Sequence, residues 1–319
     1  MESITIVEGI SVGHSENRKG VTGCTVILCD PFAIAGMEIR GGASSTRQVD
    51  SLITSSHVVG FVNGIFFTGG SAFGLDAAGG VMRYLEERKR GFPASKGFVP
   101  IVPTAVIYDL ALGKGNIRPD AKMAYQACLK AKPEKVEEGS VGAGLGASVG
   151  KLYGISRAMK GGVGTSGIKI RDLVVGALVV VNSFGDVRDE KEGKILAGLR
   201  DSEKGLKLID SALELKKTSP QTIKPFENTV LTVVATNAEL DRSEATQVAR
   251  MISGGLGRNI SPVHTQFDGD IVFVLSLGKV KVDISLVGSL GGEAVSEAIK
   301  RAVKKADGMG IIPAYKDIL

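Results

Sequence analysis

The bond between Asn228 and Thr229 joins a turn-forming residue to a hydroxyl residue that opens the β-branched run Thr229-Val230-Leu231-Thr232-Val233-Val234. A threonine hydroxyl is a weak nucleophile until a base stands beside it, and its own α-amino group becomes that base once the preceding peptide bond is cut. The ordinary pKa of such an amine, about 7.7 to 8.0, leaves a useful neutral fraction near pH 7. Asn228-Thr229 is therefore the candidate cleavage site. In this chemistry the Thr229 hydroxyl attacks the Asn228 carbonyl, the acyl group moves from N to O, and water hydrolyses the ester. Taken alone, an Asn-Thr pair before a strand marks only a strand boundary.

Other polar residues fall into patterns worth weighing. Asp268 and Asp270 lie two apart, so an extended backbone turns both carboxylates to one face, where they would orient the Thr229 amine and hydroxyl. The competing reading of Asp268-Gly269 is a hairpin turn. His14, His57 and His264 are scattered without HExxH spacing or a two-Cys partner. Neither a metal site nor a Ser-His-Asp triad is indicated, and each histidine is expected as a hydrogen-bonding fixture. The glycine-dense segment Glu138 to Gly154 invites nucleotide readings that fail. Gly146 to Lys151 is one residue short of a P-loop, and Leu152 stands where a hydroxyl must ligate magnesium. The GxGxxA match at Gly142 to Ala147 follows a polar run, not a buried strand. A backbone held close against another element is the plainer account, with Lys151 as a surface lysine.

These residues need a scaffold. The chain has 319 residues and 43% hydrophobic content, enough for a large core. Its 43 glycines are roughly twice the usual ~7% share, without a G-X-Y period, and imply tight turns and close approaches. The net charge of +5 is diffuse and arises before Thr229, since residues 229–319 carry ten basic and ten acidic side chains. With no polybasic run, nucleic acid is not an expected partner. Cys24, Cys29 and Cys128 form no CxxC and suit a reducing cytosol. Neither a signal peptide nor an 18-residue apolar run is recognisable, so the expected location is cytoplasmic, with no membrane partner.

Strands are expected at Ser3 to Val7, Gly23 to Leu28, Phe32 to Ile39 after a turn at Asp30-Pro31, Gly60 to Thr68, and Ile168 to Asn182. Val99 to Leu110, split by two prolines, fits a loop entering a strand. Helical spacing marks Phe73 to Arg90, Pro119 to Lys130, and the Leu/Ile pattern within Lys191 to Lys217. Thr218 to Asn228, with two prolines, is the best internal boundary. After Thr229 follow a strand, a helix from Ser243 to Leu256, a strand from Asp270 to Leu277 and a helix from Glu293 to Ala306. Such alternation argues a single α/β or α+β globule.

An ordered set of motifs then adds to this reading: Val12-Gly13-His14, Thr22 to Val26, Arg40-Gly41-Gly42, the TGGSAFGLDAA run from Thr68 to Ala78, Val99 to Pro103, Glu227-Asn228-Thr229, Val233 to Thr236, and Pro262 to Thr265 through Phe267 to Asp270. Over nearly the full length the chain resembles the peptidase family of D-aminopeptidase/L-aminopeptidase-esterases, β-peptidyl aminopeptidases and nylon-oligomer hydrolases. The resemblance implies a four-layer αββα sandwich of the N-terminal-nucleophile-like kind. It also implies a self-cleaving precursor, with an α fragment of residues 1–228 and a β fragment of residues 229–319 remaining together as one structural domain, and a homotetramer of processed subunits. It casts Thr229 as nucleophile, Lys151 as the lysine beside it in the nylon-hydrolase branch, and Asn182 as an oxyanion holder. An ammonium and an amide N–H are the right groups for that task. Tyr108 is a candidate pocket residue, with core packing as its alternative. With Asp268 and Asp270 the sequence departs from the β-peptidyl branch, which has Ser and Glu in this relay, and with Thr229 from the Ser nucleophile of the aminopeptidase-esterases. The expected activity is hydrolysis of small amine-bearing peptides or amides through a Thr229 acyl-enzyme, without a cofactor. The alternatives are acyl transfer of the ornithine-acetyltransferase type and an unprocessed assembly protein.

Overall fold

The structure is a computed structural model that describes residues 2–54, 56–218 and 228–319. Its main strands are β1 (Ile10–Asn17), β2 (Thr22–Arg40), β3 (Phe61–Thr68), β4 (Thr104–Val106), β5 (Gly162–Ile170), β6 (Leu173–Asn182), β7 (Thr229–Ala238) and β8 (Asp270–Val280). Its main helices are α1 (Ala78–Glu86), α2 (Ala121–Leu129), α3 (Arg242–Gly255) and α4 (Ile284–Lys304). Strand β2 joins two sheets. Its first half pairs with β1 and β3, whereas Ile34 to Arg40 pair with β8. From β8 the ladder runs through β7 and β6 to β5, with β7 and β8 parallel and the other pairs antiparallel.

Alternation along the strands sorts the apolar side chains into layers. Ile27, Phe67, Leu178, Leu231, Val233 and Phe273 lie between the two sheets, where the Phe67 and Phe273 rings sit 6.1 Å apart. Val179, Val181, Val230, Val234, Val272 and Val274 point the opposite way, onto Val248 and Ile252 of α3 and Ala294 and Ala298 of α4. On the far side, Cys24, Val26, Leu28 and Phe66 meet Val81 and Leu85 of α1 and Ala124 and Ala127 of α2. Helix, sheet, sheet, helix is the expected αββα sandwich. Helix α3 is set at its start by a capping box between Asp241 and Glu244, and Asp120 caps α2 through the Met123 amide.

Several expected elements are corrected. The stretch Ser3 to Val7 contains a 3-10 turn at Ile4–Ile6, and the first strand is β1, whose His14, Ser15 and Glu16 hid its pattern. Asp30-Pro31 does not reverse the chain: Asp30, Pro31 and Phe32 are exposed within β2 and shift its register against β3 between Leu28 and Ala33. Ile168 to Asn182 is the end of one strand and the whole of another, joined at Arg171, which takes φ +53°. The helix expected within Lys191 to Lys217 contracts to Ser211–Leu215, after a short strand at Ile195–Ala197. Leu206 and Leu213 of that pattern are exposed, so the local period lacks the packing that would extend a helix. Of the expected Thr218 to Asn228 connector, residues 219–227 lie outside the described residues. Among the described residues, no helix is long and apolar enough to cross a membrane, and no group of three or more His, Cys, Asp or Glu is placed to hold a metal ion.

Candidate active site

The two central strands of the α3/α4-facing sheet end beside one another. Antiparallel pairing places Asn182, the last residue of β6, opposite Thr229, the first of β7. Asp270 opens β8, which runs parallel to β7. Thus three residues separated by up to 88 positions share one edge because each stands at a strand end. Asn228, Thr229, Asn182, Asp268 and Asp270 are all at most 5% exposed.

The Asn228 carbonyl lies between two donors. Thr229 Oγ1 donates to its oxygen at 2.5 Å, and the Gly269 backbone N–H donates to it at 2.9 Å. This second contact exists because Asn228 and Asp268 form a parallel bridge. Asp268-Gly269 is accordingly not the tip of a hairpin. Gly269 is compact for a reason: a Cβ there would lie 2.7 Å from the Ala43 carbonyl oxygen, in the loop that follows β2.

Lys151 is buried, at 5% exposure, which corrects the surface reading. Its Nζ donates to the Asn182 carbonyl oxygen at 3.1 Å and to Asn182 Oδ1 at 2.9 Å. The chain reaches this position through Gly150, whose φ of +72° brings it so near Gly198 that a Cβ would come within 2.1 Å of that carbonyl carbon. The close-approach account of the glycine-dense segment is thereby met. Asn182 Oδ1 also accepts from the Ser148 amide at 3.0 Å, and Asn182 Nδ2 donates to the Tyr108 carbonyl oxygen at 3.3 Å. Two donors on Oδ1 fix which way the amide points. Tyr108, half-buried, lines a small recess with Ser148, Lys151 and Ile155.

The two aspartates have different surroundings. Asp268 accepts from the Phe184 amide at 3.2 Å and from the Thr265 amide and hydroxyl at 2.9 and 2.6 Å. Burial, with the neighbouring Asp270 charge, pushes its carboxyl up to about 6. Asp270 accepts from the Val230 amide at 2.8 Å, one residue past Thr229, and from the amide and Nδ1 of His264 at 3.2 and 2.8 Å. Burial works against a charged His264, but its hydrogen bonds to Asp270 and to the Ser253 carbonyl hold its pKa above the ordinary value.

The six candidates of the sequence, Thr229, Lys151, Asn182, Asp268, Asp270 and Tyr108, all lie at this strand edge. Ser148, Gly269 and Thr265 are not marked in the sequence because each acts through its backbone amide, which no residue type betrays, and the ring of His264 is the hydrogen-bonding fixture expected of it. Lys160 is likewise unmarked in the sequence. That fully buried ammonium donates to the Leu145 and Ala147 carbonyls at 2.7 and 2.9 Å, bracing the segment ahead of Ser148, and burial lowers its pKa to about 7. His14 is likewise a fixture, with Nδ1 2.9 Å from Thr25 Oγ1.

An apolar cluster adjoins the polar groups. Leu152, Phe184 and Leu199 are buried with Tyr153 and Phe267 against them, and the Phe184 and Phe267 rings lie 5.7 Å apart. Each of Leu152, Phe184 and Phe267 is within two residues of Lys151, Asn182 or Asp268, so the same backbone turns supply both.

Residues 2–313 match the family described as Peptidase family S58. An uncharacterized aminopeptidase of Mycobacterium leprae, ML1167, is 38% identical over 99% of this chain and 93% of its own. A 6-aminohexanoate-oligomer endohydrolase of Kocuria sp. is 28% identical over 93% of this chain and 84% of its own. Among solved structures, the L-aminopeptidase D-Ala-esterase/amidase of Ochrobactrum anthropi, described as a variant of the Ntn-hydrolase fold, superposes with a TM-score of 0.70. That match covers 96% of this chain and 86% of the other at 20% identity, which speaks to the fold alone. Fold and full-length sequence match agree: this chain belongs to peptidase family S58, a hydrolase of peptide or amide bonds built on an Ntn-type sandwich.

Proposed function

We propose that the protein is a self-processing N-terminal-nucleophile amide hydrolase whose nucleophile is Thr229. The observation that carries this reading is the Asn228 carbonyl, flanked at once by the Thr229 hydroxyl and the Gly269 N–H. The hydroxyl oxygen attacks the carbonyl carbon, the C–N bond breaks, and the nitrogen takes the hydroxyl proton. Water then hydrolyses the ester, leaving an Asn228 carboxylate and a Thr229 with a free amine and a restored hydroxyl. The Gly269 N–H is the donor suited to the oxyanion of the first step.

In the processed enzyme the Thr229 amine is the general base, and Lys151 favours its neutral form by like-charge repulsion. Lys151 and the Asn182 amide supply the positive charge and donor for a substrate oxyanion. Asp268 and Asp270 set the strand end on which Thr229 sits. The aminopeptidase and oligomer-hydrolase names of the relatives support small amine-bearing peptides or amides as substrates, with the Phe184/Phe267 cluster beside the nucleophile for an apolar part.

Denaturing mass spectrometry tests the first step. The wild-type chain is expected as fragments of 228 and 91 residues, and Thr229→Ala as one uncut, inactive chain. A wild-type preparation of full mass sinks the proposal. Product analysis with added amine acceptors separates hydrolysis from acyl transfer.

A further inference from the structure

Both ring nitrogens of His264 face acceptors. Nδ1 is 2.8 Å from Asp270 Oδ2, and Nε2 is 3.0 Å from the Ser253 carbonyl oxygen near the end of α3. A neutral imidazole carries one N–H and satisfies only one of these contacts, whereas an imidazolium satisfies both. The residue also takes φ +56°, in the left-handed region that few non-glycine residues enter and histidine enters more readily than most. Its own amide adds a third contact, to Asp270 Oδ2 at 3.2 Å.

Resting on the proposed function above, we infer that His264, as an imidazolium, is a positioning residue: it pins the Asp270 carboxylate against the Val230 amide and so fixes Thr229 at the strand end. The charge pattern around it is consistent. Asp270 is the anion in direct contact, and Asp268, whose carboxyl the Asp270 charge pushes up, is the next one. On the other side Arg40 of β2 opposes the positive charge, and Arg40 is itself paired to Glu38 at 3.1 Å, which also meets Arg250 of α3 at 3.3 Å. With the imidazolium in place, the Asp270 carboxylate has a counter-charge at 2.8 Å, and the carboxyl pushed upward is that of Asp268. Without it, two adjacent buried carboxylates lack their counter-charge, and Asp268 takes up its proton at higher pH.

The test is the acid limb of kcat/KM on an aminoacyl p-nitroanilide for wild type and His264→Gln. Glutamine keeps a neutral donor at this position. Expected are a loss of roughly tenfold at neutral pH and a shift of the acid limb upward by about one pH unit. An unchanged limb overturns the inference. Should His264→Gln fail to fold, the 15N shifts of the His264 ring in the uncut Thr229→Ala chain decide: two protonated nitrogens at neutral pH support it, and a neutral imidazole overturns it. This readout needs no cleavage, so its failure is distinguishable from failure of the hydrolase reading.

Discussion

Asp268 shows how one residue type is adjusted for its task. Three donors surround its carboxylate, yet burial and the Asp270 charge raise its pKa to about 6. Those donors favour the ionised form. Activity is therefore expected to fall as Asp268 takes up its proton at about 6, a limb added to that of the Thr229 amine, and a pH profile of kcat/KM checks this. The sign for stability is the reverse. The folded pKa exceeds the unfolded value of ~3.9, so the contribution of this group is full below about 4 and is lost as pH rises through 6. Asp186, buried and likewise pushed up to about 6, adds to the same trend.

Elements hold the site through glycine as much as through side chains. Gly150 lets the chain turn at φ +72° against Gly198 and deliver Lys151 to Asn182. Gly150→Ala is expected to cost about 2 kcal/mol or more, because both the left-handed backbone and the missing space oppose a Cβ. Urea midpoints measure that loss, and kcat should fall further than stability alone explains if Lys151 is displaced. The strand ends act similarly. Asn182 meets Thr229 because antiparallel register makes them partners, and Asp270 meets Val230 because β8 begins beside the start of β7.

For the whole molecule, the proposed cut falls at the entrance to a central strand. β7 pairs with β6 from one fragment and β8 from the other, and its side chains enter the cores on both faces. Separating the fragments would expose both cores, so they are expected to co-elute in native gel filtration and separate only in denaturant. Independent elution in native buffer would contradict a single joint domain. The implied homotetramer is an expectation for light scattering of the processed enzyme.

The sequence alone determined the strand beginning at Thr229, the helix from Ser243 to Leu256, found one residue earlier at Arg242–Gly255, and the strand at Asp270, because their apolar periods are local and strong. It also singled out Thr229, Lys151, Asn182, Asp268, Asp270 and Tyr108, though motif order through the resemblance, not spacing, linked residues so far apart. Only the tertiary structure decided that β2 crosses between sheets, that Lys151 is buried, that the Gly269 amide reaches the Asn228 carbonyl, and that His264 bridges Asp270 to α3. The physical reason is common to all four: register, backbone donors and counter-charges belong to pairs of segments, and a pair has no signature in either segment read by itself.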